Sequence, residues 1–289
     1  MQNLSSLPEP VYEKRGYLDR DFRLFYLTDV PEAEIHAHYH DFDKIILFLS
    51  GQAGYFAEGR TYDLMPSDVV YIAHGEIHRP LVQPGALYER IVAYLSPGFL
   101  PSLSSPDCSL TACFSQAASL HSSVLRIRTE EKSPLHAAAE ALKQACLHDG
   151  YANELYIRLL FLQWVVQLNR AVLPCPPDCM PAERSASRIP EITEFIHSHL
   201  SWDLNIDMLA DTFYISKYHM MRMFRQETGC TIGDYITSKR LLLARELMAR
   251  DVSMTQICYL CGFKNYSTFY RAYRRYFKEP PGKFRKSTV

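Results

Sequence analysis

One short segment, ISKYHMMRMFRQETG (residues 215–229), places cations beside large apolar side chains. Met220, Met223 and Phe224 follow the i, i+3, i+4 spacing of a helix, which predicts one face buried in a core. The opposite face carries the polar and semi-apolar residues Lys217, Tyr218, Met221, Arg222 and Arg225. On such a face Lys and Arg can neutralise phosphate or pair with guanine edges, while Tyr and Met can pack on sugars and thymine methyl groups. The segment therefore indicates contact with nucleic acid.

A second group with chemical potential is a set of histidines early in the chain. His36, His38 and His40 alternate, so in a strand all three would point to one face. His78 follows a later predicted strand and can come near them. Three imidazoles can bind zinc, but they can equally hydrogen-bond a ligand or stabilise the fold.

The remaining sequence gives little support for catalysis. We find no paired carboxylates, no nucleophile with an adjacent base and no Gly-rich phosphate loop, so we predict that the protein is not an enzyme. Cys258 and Cys261 form a CxxC inside an apolar helical pattern, and Cys175 and Cys179 lie in a Pro-rich run. We expect buried or linker thiols rather than redox or metal chemistry.

Charge is distributed unevenly along the 289 residues. The region from Ile189 onward has 15 Lys and Arg against 10 Asp and Glu, whereas the first 188 residues have 16 against 22. A basic C-terminal part favours a polyanionic partner. The first residues, MQNLSSLPEP, contain no apolar run typical of a signal peptide, and LYIRLLFLQWVVQL is too short and too polar to span a bilayer. The sequence thus predicts a cytoplasmic protein without membrane contact.

The Pro-rich segment at residues 171–190 predicts an interdomain linker. Before it, KIILFLSG, GYFAEGRTYDL and DLMPSDVVYIAHGEIH predict short strands with tight turns, including one at Glu58-Gly59, and hence an antiparallel sandwich or barrel. After it the patterns are helical. The fold class we predict is α+β, with residues 1–132 as the β domain, 133–170 as a helical segment and 191–289 as an all-α domain.

The helical segment 133–170 is predicted to contain two helices. Ser133 is a candidate N-cap and Gly150 a candidate C-cap residue of the first. In the second, from Tyr151 to Arg170, apolar residues cover most of the circumference. This composition favours a subunit interface and therefore a homodimer, although packing within the N-terminal domain is an alternative.

Two helix-turn-helix patterns follow the linker. Asn205 can cap a helix over IDMLADTF, and after a short turn Ser216 can cap the helix of residues 217–228. The pattern then repeats: Ser253 and Gln256 form a capping box for a helix with Ile257, Leu260 and Cys261 inward, Gly262 can end it, and Asn265 can cap YSTFYRAYRRYF. A short helix, a tight turn and a second helix with a cationic face are typical of DNA recognition.

A long helix, IGDYITSKRLLLARELMAR, joins the two patterns, whose second caps lie 49 residues apart. At 1.5 Å per residue it is roughly 25–30 Å long. That length is close to the ~34 Å between successive major-groove faces of B-DNA, so one chain could address two neighbouring grooves.

The segments LADTFYISKYHMMRMFRQETG and ICYLCGFKNYSTFYRAYRRYF, the latter followed by PGKFR, resemble the DNA-binding domain of the AraC/XylS family of transcriptional regulators. The resemblance covers about a third of the chain, with both units in order. It implies that the first unit contacts bases through Lys217, Tyr218, Met221 and Arg222, a set that periodicity also indicates. For the second unit it implies Tyr266, Ser267, Tyr270 and Arg271; we include Arg225 and Arg274 in the predicted DNA-contacting set. Met221 and Tyr270 could instead be merely exposed or packed.

The segment AEIHAHYHDFDKIILFLSGQAGYFAEGRTYDLMPSDVVYIAHGEIH resembles the cupin-like sensor domain of these regulators. In metal-dependent cupins an HxH pair, a Glu and a later His bind the metal. Here His38 and His40 match the pair and His78 the later ligand, but Lys44 stands where the Glu would be, and an ammonium repels a metal ion. We therefore expect no metal or other cofactor, and a structural or ligand-binding role for the histidines.

A small barrel can hold one small ligand between its sheets. Tyrosines on candidate strands could stack on a sugar ring while the histidines and Lys44 hydrogen-bond its hydroxyls. The predicted ligand-binding residues are His38, His40, Lys44, Tyr55, Tyr71 and His78. About half of the strand aromatics would, alternatively, be core.

The resemblance implies a regulator, most often an activator, which binds double-stranded DNA, responds to a small and often sugar-like effector, and contacts RNA polymerase. Two other classes compete with this prediction. One is a constitutive dimeric DNA binder with a non-sensing cupin, and the other is a metal-dependent cupin enzyme attached to a DNA-binding module.

Overall fold

The computed structural model describes residues 18, 20–33, 35–127, 133–174, 188–248 and 252–282. They fall into two compact units, one on each side of residue 187. The first unit contains the strands β1 (Phe22–Asp29), β2 (Asp43–Gly51), β3 (Ala53–Ala57), β4 (Arg60–Asp63), β5 (Val69–Ile72), β6 (His78–Val82), β7 (Tyr88–Leu95) and β8 (Val124–Leu125). Its helices are α1 (Phe99–Ser102), α2 (Ala112–Ser119), α3 (Pro134–Leu147) and α4 (Asn153–Val172).

The strands form two antiparallel sheets. The larger has the order β1-β7-β2-β5-β8 and the smaller the order β4-β3-β6. A two-residue turn joins β3 to β4, with Glu58 at φ 46° and Gly59 at φ 85°. Two successive positive φ angles are the type I′ geometry that matches the twist of a hairpin, so the turn predicted at Glu58-Gly59 is confirmed.

Strand β2 is buried on both faces. Ile46 and Phe48 enter the core between the two sheets, whereas Ile45 and Leu47 enter a second core between the larger sheet and helices α1–α4. A strand covered on both sides needs apolar residues at consecutive positions, which explains the unbroken run IILFL.

Helices α3 and α4 differ from the prediction at their junction. Ser133 caps α3, its hydroxyl accepting the His136 N–H at 3.1 Å, as predicted. The expected C-cap at Gly150 is wrong: α3 ends at Leu147, and His148 leaves the helix in an extended conformation. No left-handed residue is then needed at Gly150, and α4 begins at Asn153 rather than at Tyr151.

The second unit is all-helical. It contains α5 (Ile189–Ser198), α6 (Ile206–Phe213), α7 (Lys217–Thr228), α8 (Ile232–Met248), α9 (Met254–Leu260) and α10 (Tyr266–Phe277). The predicted caps Asn205, Ser216, Ser253 and Asn265 all hold, and Ser253 and Gln256 form the complete capping box.

The predicted α+β class, an antiparallel β domain with helices followed by an all-helical domain, is confirmed. The domain boundaries at residues 132, 170 and 190 stay predictions, since residues 128–132 and 175–187 lie outside the described residues. Cys175 and Cys179 lie there too. Among the described residues, no helix is both long and apolar enough to cross a membrane.

Glu89 ties the larger sheet to α3. Its carboxylate accepts hydrogen bonds from Lys143 Nζ at 2.8 Å, Tyr26 Oη at 2.7 Å and Ser50 Oγ at 2.5 Å. The hydrogen bonds from Lys143, then from Ser50 and Tyr26, lower the pKa of Glu89 to about 2. A carboxyl with a depressed folded-state pKa stabilises the fold above its unfolded pKa of about 4.3, and this contribution is lost as the pH falls toward 2.

We expect Glu89→Gln to lower the free energy of unfolding of the first unit by about 2–3 kcal/mol at pH 7, and by much less at pH 3. The measurement is urea unfolding followed by tryptophan fluorescence in a Trp202→Phe background. Trp202 lies in the second unit, so Trp164, in the core of the first, then gives the signal. The control is Glu140→Gln, the same change at an exposed position of α3. It should lower the free energy of unfolding by less than about 0.5 kcal/mol. An equal loss for Glu89→Gln at both pH values would contradict this account.

Candidate DNA interface and ligand site

Helices α6 and α7 form the first helix-turn-helix unit. Leu209 of α6 and Phe224 of α7 are fully buried. Between the helices Tyr214 is left-handed at φ 53°, and the Ser216 hydroxyl then accepts the His219 N–H at 3.3 Å. The turn and the cap fix the direction in which α7 leaves, and therefore which face it presents.

The outward face of α7 carries the set predicted from periodicity. Lys217, Tyr218, Met221, Arg222 and Arg225 are all exposed. Tyr218 is 75% and Met221 47% exposed, so neither packs in the core of the unit. The Lys217 ammonium pairs with the Asp207 carboxylate of α6. Because both side chains are more than half exposed, this ion pair is weak and can be exchanged for a phosphate.

Helices α9 and α10 form the second helix-turn-helix unit. Phe269 and Tyr273 of α10 are fully buried. Its outward face contains the four residues predicted by resemblance, Tyr266, Ser267, Tyr270 and Arg271, and also Arg274, which we added to the predicted set. All of them except the half-buried Tyr270 are exposed. The rings of Tyr266 and Tyr270 lie 6.2 Å apart. Each unit thus presents a mixed cationic and aromatic face.

One inward residue of α9 was predicted wrongly. Leu260 is 52% exposed, and Cys258 is fully buried instead, beside Ile257 and Cys261. In the second helix-turn-helix unit, the core lies on the side of α9 that faces α8 and α10. The apolar pattern of a seven-residue helix does not show which of its sides is buried. Both thiols are buried, as predicted, and burial raises the pKa of Cys261 to about 12.

Gly262 has a role that sequence reasoning found only in part. Its φ of +81° supports the predicted left-handed end of α9. A Cβ there would also lie 2.2 Å from the Leu200 carbonyl oxygen and 2.9 Å from the Arg240 guanidinium, which donates to that oxygen. Glycine therefore allows α9 to approach the end of α5, a contact that no local pattern indicates.

Helix α8 packs against both helix-turn-helix units. At its start Tyr235 packs against Phe224 of α7, with ring centroids 5.4 Å apart. Toward its end Leu241, Ala244 and Met248 enter the core formed with α9 and α10. Its 17 residues give a length of about 26 Å. Packing at both ends makes α8 a rigid spacer between the two outward faces.

In the compact unit that contains the two β-sheets, three of the predicted histidines come together. His38 and His78 exchange backbone hydrogen bonds at 3.0 and 2.9 Å, and His40 joins them, with ring centroids 4.6–5.0 Å apart. All three side chains are buried. His36 does not join them. It is exposed because residues 35–37 are not part of a strand, so the predicted alternation does not extend that far.

Lys44 and Tyr55 border this histidine cluster. Burial, with a smaller contribution from Arg90, lowers the pKa of Lys44 to about 7. Burial, with Lys44 as the next cause, holds the pKa of His78 well below its usual value. The Tyr55 ring stacks on His78 at 6.0 Å.

Tyr71 lies elsewhere. It stacks on Phe114 of α2 at 4.5 Å and packs in the core under the helices. Tyr71 follows Val70 directly on β5, and Val70 enters the core between the sheets. Because successive side chains of a strand point to opposite faces, the Tyr71 side chain points away from that core. The structure therefore does not bring Tyr71 together with the other five predicted ligand-binding residues.

The space between the sheets is filled by large side chains. Phe48, Tyr55 and Tyr62 are at most 1% exposed. An open cleft of about 350 Å³ lies instead at the junction of α3 and α4, lined by residues that include Gln144, His148 and Tyr156. A ligand between the sheets would have to displace side chains that now pack there.

Comparison with known proteins identifies both units. Residues 26–160 match the family model of an AraC-like ligand binding domain, and residues 209–287 match that of a helix-turn-helix domain. Across most of its length the chain is similar to the HTH-type transcriptional activator RhaS of Escherichia coli, for example in strains K12/DH10B and O9:H4 (HS). Each is 24% identical over 265 residues, covering 89% of this chain and 90% of the relative.

Two solved structures illustrate the range of structural matches. ToxT of Vibrio cholerae O395 is 12% identical and covers 93% of this chain and 98% of its own, with a TM-score of 0.39. The DNA-binding domain of AdpA in complex with a target DNA is 26% identical and covers 34% of this chain and 88% of its own, with a TM-score of 0.33.

These findings define a DNA-binding transcriptional regulator with a ligand-binding domain. The chain belongs to the AraC/XylS family. Because that family consists of transcription regulators, the prediction that the protein is not an enzyme is confirmed, and the tethered cupin enzyme is excluded.

Proposed function

We propose that this regulator is a homodimeric transcription activator that binds two successive major grooves per chain and responds to a small, sugar-like effector. The observation that carries the proposal is the pair of capped helices, α7 and α10, with cationic and aromatic outward faces on one rigid α8. The DNA contacts are assigned to Lys217, Tyr218, Met221, Arg222, Arg225, Tyr266, Ser267, Tyr270, Arg271 and Arg274.

Activation is supported by the relatives, which are named as transcriptional activators. An activator raises the rate of transcription at its promoter, so RNA polymerase is the second macromolecular partner that we propose. The effector site is assigned to the inter-sheet end of the first unit, where His38, His40, Lys44, Tyr55 and His78 lie.

The dimer is assigned to α4. Its inward face packs in the core through Phe161, Trp164 and Leu168. A second stripe of apolar residues, Leu155, Leu159, Leu162 and Val166, follows the 4-3-4 spacing of a coiled-coil seam. Leu162 and Val166 are half-buried and also pack against the core. Leu155 is 58% and Leu159 56% exposed. Two copies of this stripe can bury each other in a helix pair, and a dimer makes the second DNA contact effectively intramolecular.

The effector assignment leads to a prediction about Tyr55. Its hydroxyl is buried and has no hydrogen-bond partner among the described residues, so a ligand hydroxyl can supply one. In a thermal-shift screen of monosaccharides, a binder present at about 100 times its Kd adds about 2.7 kcal/mol to the free energy of unfolding. This corresponds to a rise of roughly 5–10 °C in Tm for a domain of this size.

Tyr55→Phe is expected to abolish most of this rise and Tyr71→Phe, on the opposite face of the sheet, to retain it. The same sugar should change DNA affinity, since an effector acts only by preferring one state of the protein. If no small molecule changes either quantity, the packed inter-sheet core favours the second candidate, a constitutive dimeric DNA binder.

A further inference from the structure

We propose that the effector is a hydroxy acid, such as a sugar acid, whose carboxylate pairs with the Lys44 ammonium between the two sheets. The inference rests on the proposed function, because it names the class of molecule that the effector site takes. Three polar groups carry it, on Lys44, Tyr55 and His78.

The Lys44 side chain lies between the sheets. On β2 it alternates with Ile46 and Phe48, which enter the core between the sheets. Its cross-strand neighbours are Ile72 on β5 and Tyr94 on β7, and its Nζ lies 5.9 Å from the centre of the Tyr94 ring. Lys44 is only 9% exposed. Burying an ammonium is costly unless an anion pairs with it.

Among the described residues, no carboxylate pairs with Lys44. Asp43, the adjacent residue, points to the opposite face of β2 and accepts hydrogen bonds from the His74 backbone N–H at 2.8 Å and from His74 Nδ1 at 2.9 Å. Burial, and then the cation Arg90, lower the pKa of Lys44. The Arg90 guanidinium already donates to Asp29. The space around Lys44 therefore holds a second cation but lacks an anion for the ammonium.

Tyr55 and His78 of the smaller sheet add two buried polar atoms. Both residues are fully buried, and neither Tyr55 Oη nor His78 Nε2 has a hydrogen-bond partner among the described residues. His78 Nδ1 lies 2.9 Å from the Glu76 carbonyl oxygen. A carbonyl only accepts, so Nδ1 carries the hydrogen and Nε2 keeps its lone pair. His78 can thus accept a hydrogen bond from a ligand hydroxyl, while Tyr55 can donate one.

These groups together indicate the class of ligand. The Lys44 ammonium and the Tyr55 hydroxyl suit the oxygens of a carboxylate, and His78 Nε2 suits a hydroxyl on the same molecule. A neutral sugar would leave the ammonium without an anion, and a phosphate dianion has more acceptor oxygens than these two donors can satisfy. Pairing the three groups offsets part of the cost of displacing side chains that now pack between the sheets.

The test compares ligands that differ only at carbon 6 of the sugar. Calorimetry with the full chain measures the affinity for D-glucose, D-glucuronate and D-glucose 6-phosphate, and for the same three forms of D-galactose. In at least one series we expect the uronate to bind about 10-fold or more tighter than the neutral sugar. Lys44→Met should reduce this ratio to about one. Arg23→Met, which removes a cation at an exposed position of β1, should preserve it.

A second measurement needs no ligand. Lys44→Met should raise the Tm of the free protein, because it replaces a buried charge without an anionic partner by an apolar side chain of similar size. A lower Tm would mean that a protein group pairs with Lys44, and would overturn the inference.

The outcomes separate this inference from the proposed function. Equal affinity for a sugar and its uronate, or tighter binding of the phosphate, would overturn the hydroxy acid but retain a sugar-like effector. A preference for the uronate that persists in Lys44→Met would place the carboxylate elsewhere and overturn the inference. Failure of all these probes to bind would overturn both the hydroxy acid and the sugar-like effector.

Discussion

Replacing either Arg222 or Arg271 with alanine is expected to weaken binding to the cognate DNA by about 1–3 kcal/mol, or roughly 5- to 150-fold. Each arginine is exposed on the outward face of its helix, and a guanidinium can donate two hydrogen bonds to one guanine. Losing both bonds removes affinity and also the preference for that base. Fluorescence anisotropy with a labelled operator measures the first, and competition with single-base variants measures the second.

The two losses should add, because the arginines lie in different units of the domain and share no contact. Arg170→Ala, an exposed arginine at the end of α4, makes the same charge change and should leave affinity within about twofold of the unchanged protein. Both arginine variants should unfold at the same temperature as the parent. Unchanged affinity in folded Arg222→Ala and Arg271→Ala proteins would remove the DNA assignment.

Leu159→Asp is expected to convert the dimer into monomers and to reduce binding to a paired operator by about 10²- to 10⁴-fold. The change places a charge in the centre of the α4 stripe, where two copies would bury it against each other. Because Leu159 is 56% exposed within one chain, the fold of the first unit should survive. Sedimentation velocity measures the oligomeric state, and binding to single and paired half-sites measures the consequence.

A matched control separates this interface from general surface effects. Leu120, at the end of α2, is 52% exposed, so Leu120→Asp adds the same charge to a leucine of similar exposure. It should remain dimeric and bind the paired operator normally. A Leu159→Asp protein that is still dimeric, or a parent that is monomeric at micromolar concentration, would place dimerisation elsewhere or exclude it.

Much of the DNA-binding domain could be predicted from the sequence because its signals are local. Asn205, Ser216, Ser253 and Asn265 each accept a hydrogen bond from a backbone N–H within three residues. A cap of this kind depends on its own helix and hardly at all on the rest of the chain. The outward face of α7 followed from the same short-range periodicity.

The incorrect predictions concern side chains whose burial depends on contacts with residues distant in the sequence. Leu260 is exposed because α8 and α10 cover only one side of α9, and Tyr71 faces the helices because β5 pairs with β2 in one particular register. The histidine cluster was foreseen from spacing and resemblance, but its closure depends on a backbone bridge between residues forty positions apart, His38 and His78. Local patterns carry no information on such contacts.

The central claim is that one chain addresses two successive major grooves, and position-resolved footprinting tests it most directly. Sequences selected by the full-length protein from random DNA should show two protected segments per chain, about 10–10.5 base pairs apart. Arg222→Ala should erase base preference in one segment and Arg271→Ala in the other. A single protected segment, or loss in the same segment for both variants, would contradict the account.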